Sequence, residues 1–315
     1  MKYSFVVPIY NDGYLANSFC EAFYKSFTEY LNEESILGIV ELIFVNDGSN
    51  DNSLEILKLL PEKFNFVSIV DLSRNFGQHI ALTCGYNLAQ GDYIGMLNVD
   101  MQEPPSEIPI LIEFMKAEKH DIVFGLTEIR QTSFLNRVTS IAFGKTLNYL
   151  TKTNTPLNVT TLRVMNRKFI TAYNTISEKS RYIPGLEAWL GFSQGYVPIK
   201  HQKRKDNRSS YNFKKRIGMA LETIISFSDF PLRLIASLGF IFALLGFVLS
   251  MILIICKLMF IDFQSGYTST ISFVLLIGGI QILVVGVSSL YIGRILKEVQ
   301  NRPLYLINEK INFND

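Results

Sequence analysis

The chain has 315 residues, enough for one large domain or two modest ones. Its 30 basic and 28 acidic side chains leave a net charge of only +2, and no nucleic acid is expected as a partner. The three cysteines, Cys20, Cys84 and Cys256, have no metal-ligand spacing and read as packing residues of a reducing compartment.

Short runs rich in β-branched residues alternate with helical patterns through the first 125 residues. Strands are predicted at 3–8, 41–46, 66–71, 93–98 and 121–125, and helices at 15–31, 52–60, 78–89 and 106–119. Strands this continuously apolar are covered on both faces, and the alternation implies a parallel sheet between helical layers. Met1-Lys2 leads straight into a strand, so no signal peptide is expected. Residues 126–211 are less regular, with a helical stretch near 136–150 and an edge strand over 197–200. Residues 212–230 form an amphipathic pattern, with Phe213, Ile217, Leu221, Ile224 and Phe227 at helical spacing and Lys214–Arg216 flanking them. A basic amphipathic helix of this kind reads as lying in a membrane interface or packing on the domain.

The chain is 48% hydrophobic with a mean hydropathy of +0.21, and the excess is local. Segments 234–256 and 271–292 carry no charge. At about 1.5 Å per residue each is long enough to span a hydrocarbon core of about 30 Å. Eight basic residues lie between Lys203 and Arg233, Arg294, Lys297 and Arg302 follow the second segment, and the loop between holds only Lys257 and Asp262. The positive-inside rule then predicts both termini in the cytoplasm and the 257–270 loop outside. The expected domains are 1–211, the 212–230 interfacial helix, a 231–300 pair of transmembrane helices, and a cytoplasmic tail at 301–315.

Three strand ends carry the chemistry. Strand 3–8 leads into Ile9-Tyr10-Asn11-Asp12, and strand 41–46 opens into Asp47-Gly48-Ser49-Asn50-Asp51. Strand C-termini of open α/β sheets are common nucleotide sites. Asp51 is expected to cap the helix that follows. The third end presents Asn98, Asp100 and Gln102 before Pro104-Pro105. Alternate strand residues share a face, so one carboxylate and two amides are expected to leave the sheet edge together. That oxygen-rich set suits a hard divalent cation on phosphate groups.

Val-Val-Pro-Ile-Tyr-Asn (6–11), Val-Asn-Asp-Gly-Ser-Asn-Asp-Asn-Ser (45–53), Ser-Arg-Asn-Phe-Gly (73–77), Gly-Asp (91–92) and Asn-Val-Asp-Met-Gln-Glu-Pro-Pro (98–105) occur in order. Together they resemble the family 2 glycosyltransferases, and within them the polyprenyl-phosphate hexose synthases. The resemblance implies a GT-A fold, a nucleotide sugar as donor, polyprenyl phosphate as acceptor, Mg²⁺ or Mn²⁺ as cofactor, and a multi-pass location in the inner (plasma) membrane with the catalytic domain cytoplasmic. A homo-oligomer stays open. By the same resemblance Pro8, Tyr10, Asp12, Asp47, Asn98 and Asp100 bind the nucleotide sugar, and Asp100 and Gln102 hold the metal. Arg130, Arg204, Ser209 and Tyr211 take the acceptor phosphate, and Asp100, Arg163 and Arg204 are catalytic.

Three departures stand out. Asn98 replaces the family's usual first aspartate, and Asp12 a more usual glutamate. Asn158-Val-Thr-Thr-Leu-Arg163-Val stands where relatives often show Asp-x-Gly-Asp-Phe-Arg-Leu, so both acidic positions are lost. A lipid phosphate is already anionic, so cations that hold two phosphates together matter more than a base. The expected activity is an inverting hexosyl transfer, with a UDP-linked donor favoured, to undecaprenyl phosphate for cell-envelope glycans. The rivals are a degenerate, non-catalytic membrane protein and a processive polysaccharide synthase. The single tryptophan, Trp189, lacks the Gln-x-x-Arg-Trp context of such synthases.

Overall fold

The computed structural model describes residues 1–33, 36–127, 156, 158–179, 181–200 and 266–313, with scattered positions between 235 and 255. Arg130, Arg204, Ser209 and Tyr211, and the helices expected near 136–150 and over 212–230, lie outside them.

Strands β1 (Tyr3–Ile9), β2 (Val40–Asn46) and β3 (Val67–Leu72) are almost wholly buried, as continuously apolar strands require. They pair in parallel, and β4 (Tyr93–Met96) pairs in parallel with the other side of β1. Helix α1 (Ala16–Leu31) turns a stripe of Ala16, Phe19, Cys20, Phe23 and Phe27 inward. Phe23 and Phe27 stack with ring centroids 4.7 Å apart, and Phe5 of β1 lies 4.9 Å from Phe27. Each such buried ring contributes about 1.5–3 kcal/mol through removal of apolar surface from water.

Helix α2 (Ser53–Lys63) runs through Pro61 and so extends past the expected end at 60. Pro61 sits in the last turn, where its ring forfeits one backbone bond. The Phe64 N–H still closes on the Leu60 carbonyl at 2.8 Å. Asp51 does not cap α2 as expected: the N-cap position is Asn52, without a side-chain cap bond, and Asp51 instead accepts from the Ser53 N–H at 3.0 Å in a turn just before the helix. Helices α3 (Gln78–Leu88) and α4 (Ile108–Glu118) complete the alternation.

After β5 (Ile122–Leu126), the next described strand is β6 (Val159–Asn166), which inserts antiparallel between β4 and β5. Asn166 caps α5 (Arg167–Asn174) by accepting from the Phe169 N–H at 2.8 Å. Helix α6 (Ile183–Trp189) leads to β7 (Gln194–Pro198), an edge strand parallel to β5. The long helix α7 (Tyr267–Gln300) precedes β8 (Ile307–Ile311), which pairs antiparallel with β3 at the other edge. The mixed sheet therefore runs β7-β5-β6-β4-β1-β2-β3-β8.

The chain forms two compact units, Met1–Tyr211 with Pro303–Asp315, and Asn212–Arg302. Residues 303–315 thus belong to the sheet domain and are more than a tail. Among the described residues one helix is long and apolar enough to cross a membrane, over Ile280–Gln300 of α7 with mean hydropathy 1.5. The described positions of the other expected span, between 235 and 255, are helical.

Candidate active site

The C-terminal ends of β1, β2 and β4 open onto one cleft of about 490 Å³. Pro8, Tyr10, Asp12, Asp47, Asn98, Asp100 and Gln102 all line it, together with Asn75, Gly77, Gln78 and Thr161.

Its floor is built on Asp47. The carboxylate is 3% exposed and accepts from the Phe76 N–H at 2.7 Å and the Gly77 N–H at 2.9 Å. Burial pushes this carboxyl above the usual range, against the pull of those two amides and of Arg74. Gly48 makes the turn possible. It has φ +61°, and a Cβ there would sit 2.3 Å from the Arg74 carbonyl carbon. Opposite, Asn11 adopts φ +59°, its N–H donates to the Ser49 hydroxyl at 3.0 Å, and its carbonyl Oδ1 accepts from the Asn50 N–H at 2.9 Å. The two strand-end loops are thereby laced together.

The third loop reaches the cleft for a different reason than strand alternation. Strand β4 stops at Met96, and residues 98–102 form a turn with Met101 at φ +53°. The Met101 N–H meets the Asn98 carbonyl at 3.5 Å, and the Gln102 N–H meets Asp100 Oδ1 at 3.3 Å. Val99 is buried, and Asn98, Asp100 and Gln102 all line the cleft. Asn98 is held on both sides, with Gln78 Nε2 donating to its Oδ1 at 3.2 Å and its Nδ2 donating to Thr161 Oγ1 at 2.8 Å. Thr161 donates in turn to buried Glu103 at 3.2 Å.

The model of the glycosyl transferase family 2 matches residues 4–173. Over 310 residues the chain is 34% identical to the uncharacterized glycosyltransferase YkcC of Bacillus subtilis, covering 98% of this chain and 94% of that one. It is equally 34% identical over 310 residues to a bactoprenol glucosyl transferase of Shigella phage SfII, covering 98% of each. The chain belongs to glycosyl transferase family 2. Among solved structures, the mannosyltransferase PcManGT of Pyrobaculum calidifontis, in complex with GDP-Man and Mn²⁺, shares 13% identity at a TM-score of 0.49, over 71% of this chain and 63% of that one.

In this transferase Arg163 does not line the cleft. It is buried on β6, where Nη1 contacts both carboxylate oxygens of buried Glu187 on α6 at 2.7 and 2.5 Å. Its Nε donates to the Thr161 carbonyl at 3.0 Å, and the guanidinium lies 5.5 Å from the Phe124 ring centre. Its observed contacts position β6 and the Thr161 that enters the cleft. His79, next to cleft-lining Gln78, is pushed down to about 4, by burial first and Arg163 second, and so is neutral at pH 7.

The donor set fits a hard divalent cation shared with phosphates. Asp100 would offer a carboxylate and Gln102 an amide oxygen, and both line the cleft. No group of three His, Cys, Asp or Glu side chains able to hold a metal occurs among the described residues. Mg²⁺ commonly takes one or two protein carboxylates and completes its shell with phosphate and water.

Asn75, Gln78, Thr161, Glu103 and Glu187 join the site or its supports without being expected as site residues from the sequence. Asn75 and Thr161 lie inside the 73–77 and 158–163 motifs, which gave a signal. Glu187 lies 24 residues beyond its partner and nothing local marks it.

Proposed function

We propose that this family 2 glycosyltransferase moves a hexose from a nucleotide sugar, with UDP the favoured nucleotide, to a polyprenyl phosphate at the cytoplasmic membrane face, with inversion. The observation that carries the reading is the convergence of Pro8, Tyr10, Asp12, Asp47, Asp100 and Gln102 on one cleft at the strand ends. The name of the phage relative supports bactoprenol as the carrier.

In this reading Pro8, Tyr10, Asp12 and Asp47 hold base and ribose, and Asp100 and Gln102 lie at the diphosphate. A divalent cation bound there would neutralise charge on the leaving nucleotide. The lipid phosphate oxygen attacks the anomeric carbon as the sugar–diphosphate bond breaks, and the nucleoside diphosphate departs. The nucleophile arrives anionic, so replacement of the family's two acidic residues by Asn158 and Thr161 does not stop the reaction. Arg130, Arg204, Ser209 and Tyr211 are assigned to the acceptor phosphate.

The sheet supports the membrane layout. Because β8 closes the sheet that β1 to β3 begin, the 212–302 excursion leaves from and returns to one body. Any membrane crossing within it must then be paired with a second. Helix α7 supplies one, and 234–256 is the other.

The test is nucleotide binding. Full-length protein with Mg²⁺ should bind UDP or GDP in a calorimeter, and Asp47→Ala should abolish it. Absence of binding to either nucleotide in the folded protein would remove the donor assignment.

A further inference from the structure

The C-terminal strand is linked to the loops of the cleft through a buried carboxylate that does not itself line it. Register along β3 and β8 pairs Asp71 with Glu309 but Leu72 with Ile307, so Asn308 is an extra residue in a β-bulge. Bulges re-aim side chains. Here Asn308 Nδ2 donates to Asp71 Oδ2 at 2.8 Å.

Asp71 is 5% exposed, and its other oxygen accepts from Asn46 Nδ2 at 2.7 Å. Asn46 is the last residue of β2. Its Oδ1 accepts from the Ser49 hydroxyl at 2.6 Å, and that hydroxyl oxygen accepts from the Asn11 N–H. The chain Asn308–Asp71–Asn46–Ser49–Asn11 thus ends in the two loops that carry Tyr10, Asp12 and Asp47. A buried carboxylate needs its donors, and each amide in this chain has its orientation fixed by the next contact.

We propose that β8 is a working part of the donor site, with Asn308 a positioning residue that sets the 46–50 and 10–12 loops for the nucleotide. The strand arrives only after the 212–302 segment, so the nucleotide end of the cleft is complete only in a chain that carries that excursion through to its end. The nucleotide part of this inference rests on the donor reading above. The loop-ordering part does not.

The experiment compares Asn308→Ala with Glu309→Gln, a change on the same strand that keeps the backbone pairing with Asp71 and alters a side chain paired with the exposed Lys58. In ligand-free, full-length protein, hydrogen exchange at the Asn11 and Asn50 amides should quicken roughly tenfold in Asn308→Ala, while Val6 and Val7 in β1 stay protected. Affinity for UDP or GDP with Mg²⁺ should fall roughly tenfold, the scale of a lost contact to a charged group. Glu309→Gln should change neither, and Asn308→Gln, which keeps the amide donor, should recover part of both. If the wild type binds neither nucleotide, the donor reading falls while the exchange rates still decide the coupling. If Asn308→Ala fails to fold, the wild type decides, because binding couplings are reciprocal: added nucleotide should slow exchange of the 307–311 amides. A folded Asn308→Ala with unchanged exchange at Asn11 and Asn50, or with unchanged nucleotide affinity where the wild type binds, overturns the proposal. So does a wild-type strand that gains no protection.

Discussion

Replacing Arg163 separates a substrate-contacting role from a positioning one. In Arg163→Met the Glu187 carboxylate, 2% exposed, loses its partner. Uncompensated buried charges of this kind cost about 3–5 kcal/mol. In a domain of this size that lowers the thermal midpoint by roughly 10 °C. The double variant Arg163→Met with Glu187→Leu removes the stranded charge as well as the cation, and apolar replacement of both partners is often close to neutral. It should return to within about 2 kcal/mol of the wild type. Its turnover should fall only severalfold, from loss of the Nε–H contact to the Thr161 carbonyl. Thermal melts in detergent and hexosyl transfer at low temperature measure the two quantities. A double variant that regains stability but loses roughly 10³-fold in turnover, about 4 kcal/mol, would show that Arg163 reaches the reacting groups, as the family resemblance implied.

Protonation of His79 should destabilise the fold in acid. Its folded-state value near 4 lies below the ordinary 6.5, so stability is full above pH 6.5 and is lost as pH falls towards 4, by up to about 3 kcal/mol. His79→Gln should flatten the stability profile across that window, and an unchanged profile would refute the assignment. Asp100→Asn should lower turnover at least ~10²-fold and weaken Mn²⁺ binding read by paramagnetic resonance, whereas Asn98→Ala should cost less; near-normal Asp100→Asn turnover defeats the metal reading. Gly48→Ala must place a Cβ against the Arg74–Asn75 backbone at positive φ, costing about 2–5 kcal/mol by denaturant titration and weakening nucleotide binding with it.

The core of the fold was legible because it is written in local patterns. Strands β1, β2 and β3 are continuous apolar runs that end at turn residues, and the Phe19–Phe23–Phe27 stripe of α1 repeats at helical spacing. The cleft residues named from the sequence were legible because most of them follow strand ends within the quoted motifs, although the geometry differed at Asn98, Asp100 and Gln102. There a left-handed Met101 does what strand alternation was expected to do. A single positive-φ methionine carries no local sequence signal. The Arg163–Glu187 pair was not legible because Glu187 lies 24 residues further on and meets Arg163 only in the folded chain. Strand β8 escaped because Ile-Asn-Glu-Lys-Ile has two apolar residues around three polar ones, a pattern that suits an edge strand with one guarded side and equally suits a solvated tail.

The central claim is transfer of a hexose to a lipid phosphate, and the direct measurement is a donor screen on the purified, full-length protein with undecaprenyl phosphate and Mg²⁺. UDP- and GDP-linked hexoses and N-acetylhexosamines are supplied one at a time, and the lipid product is read by mass. The account predicts a lipid-phosphate species heavier by one sugar residue for at least one donor, formed as nucleoside diphosphate is released and lost in Asp100→Asn. A folded protein that binds nucleotide but yields no glycosylated lipid with any donor would contradict it.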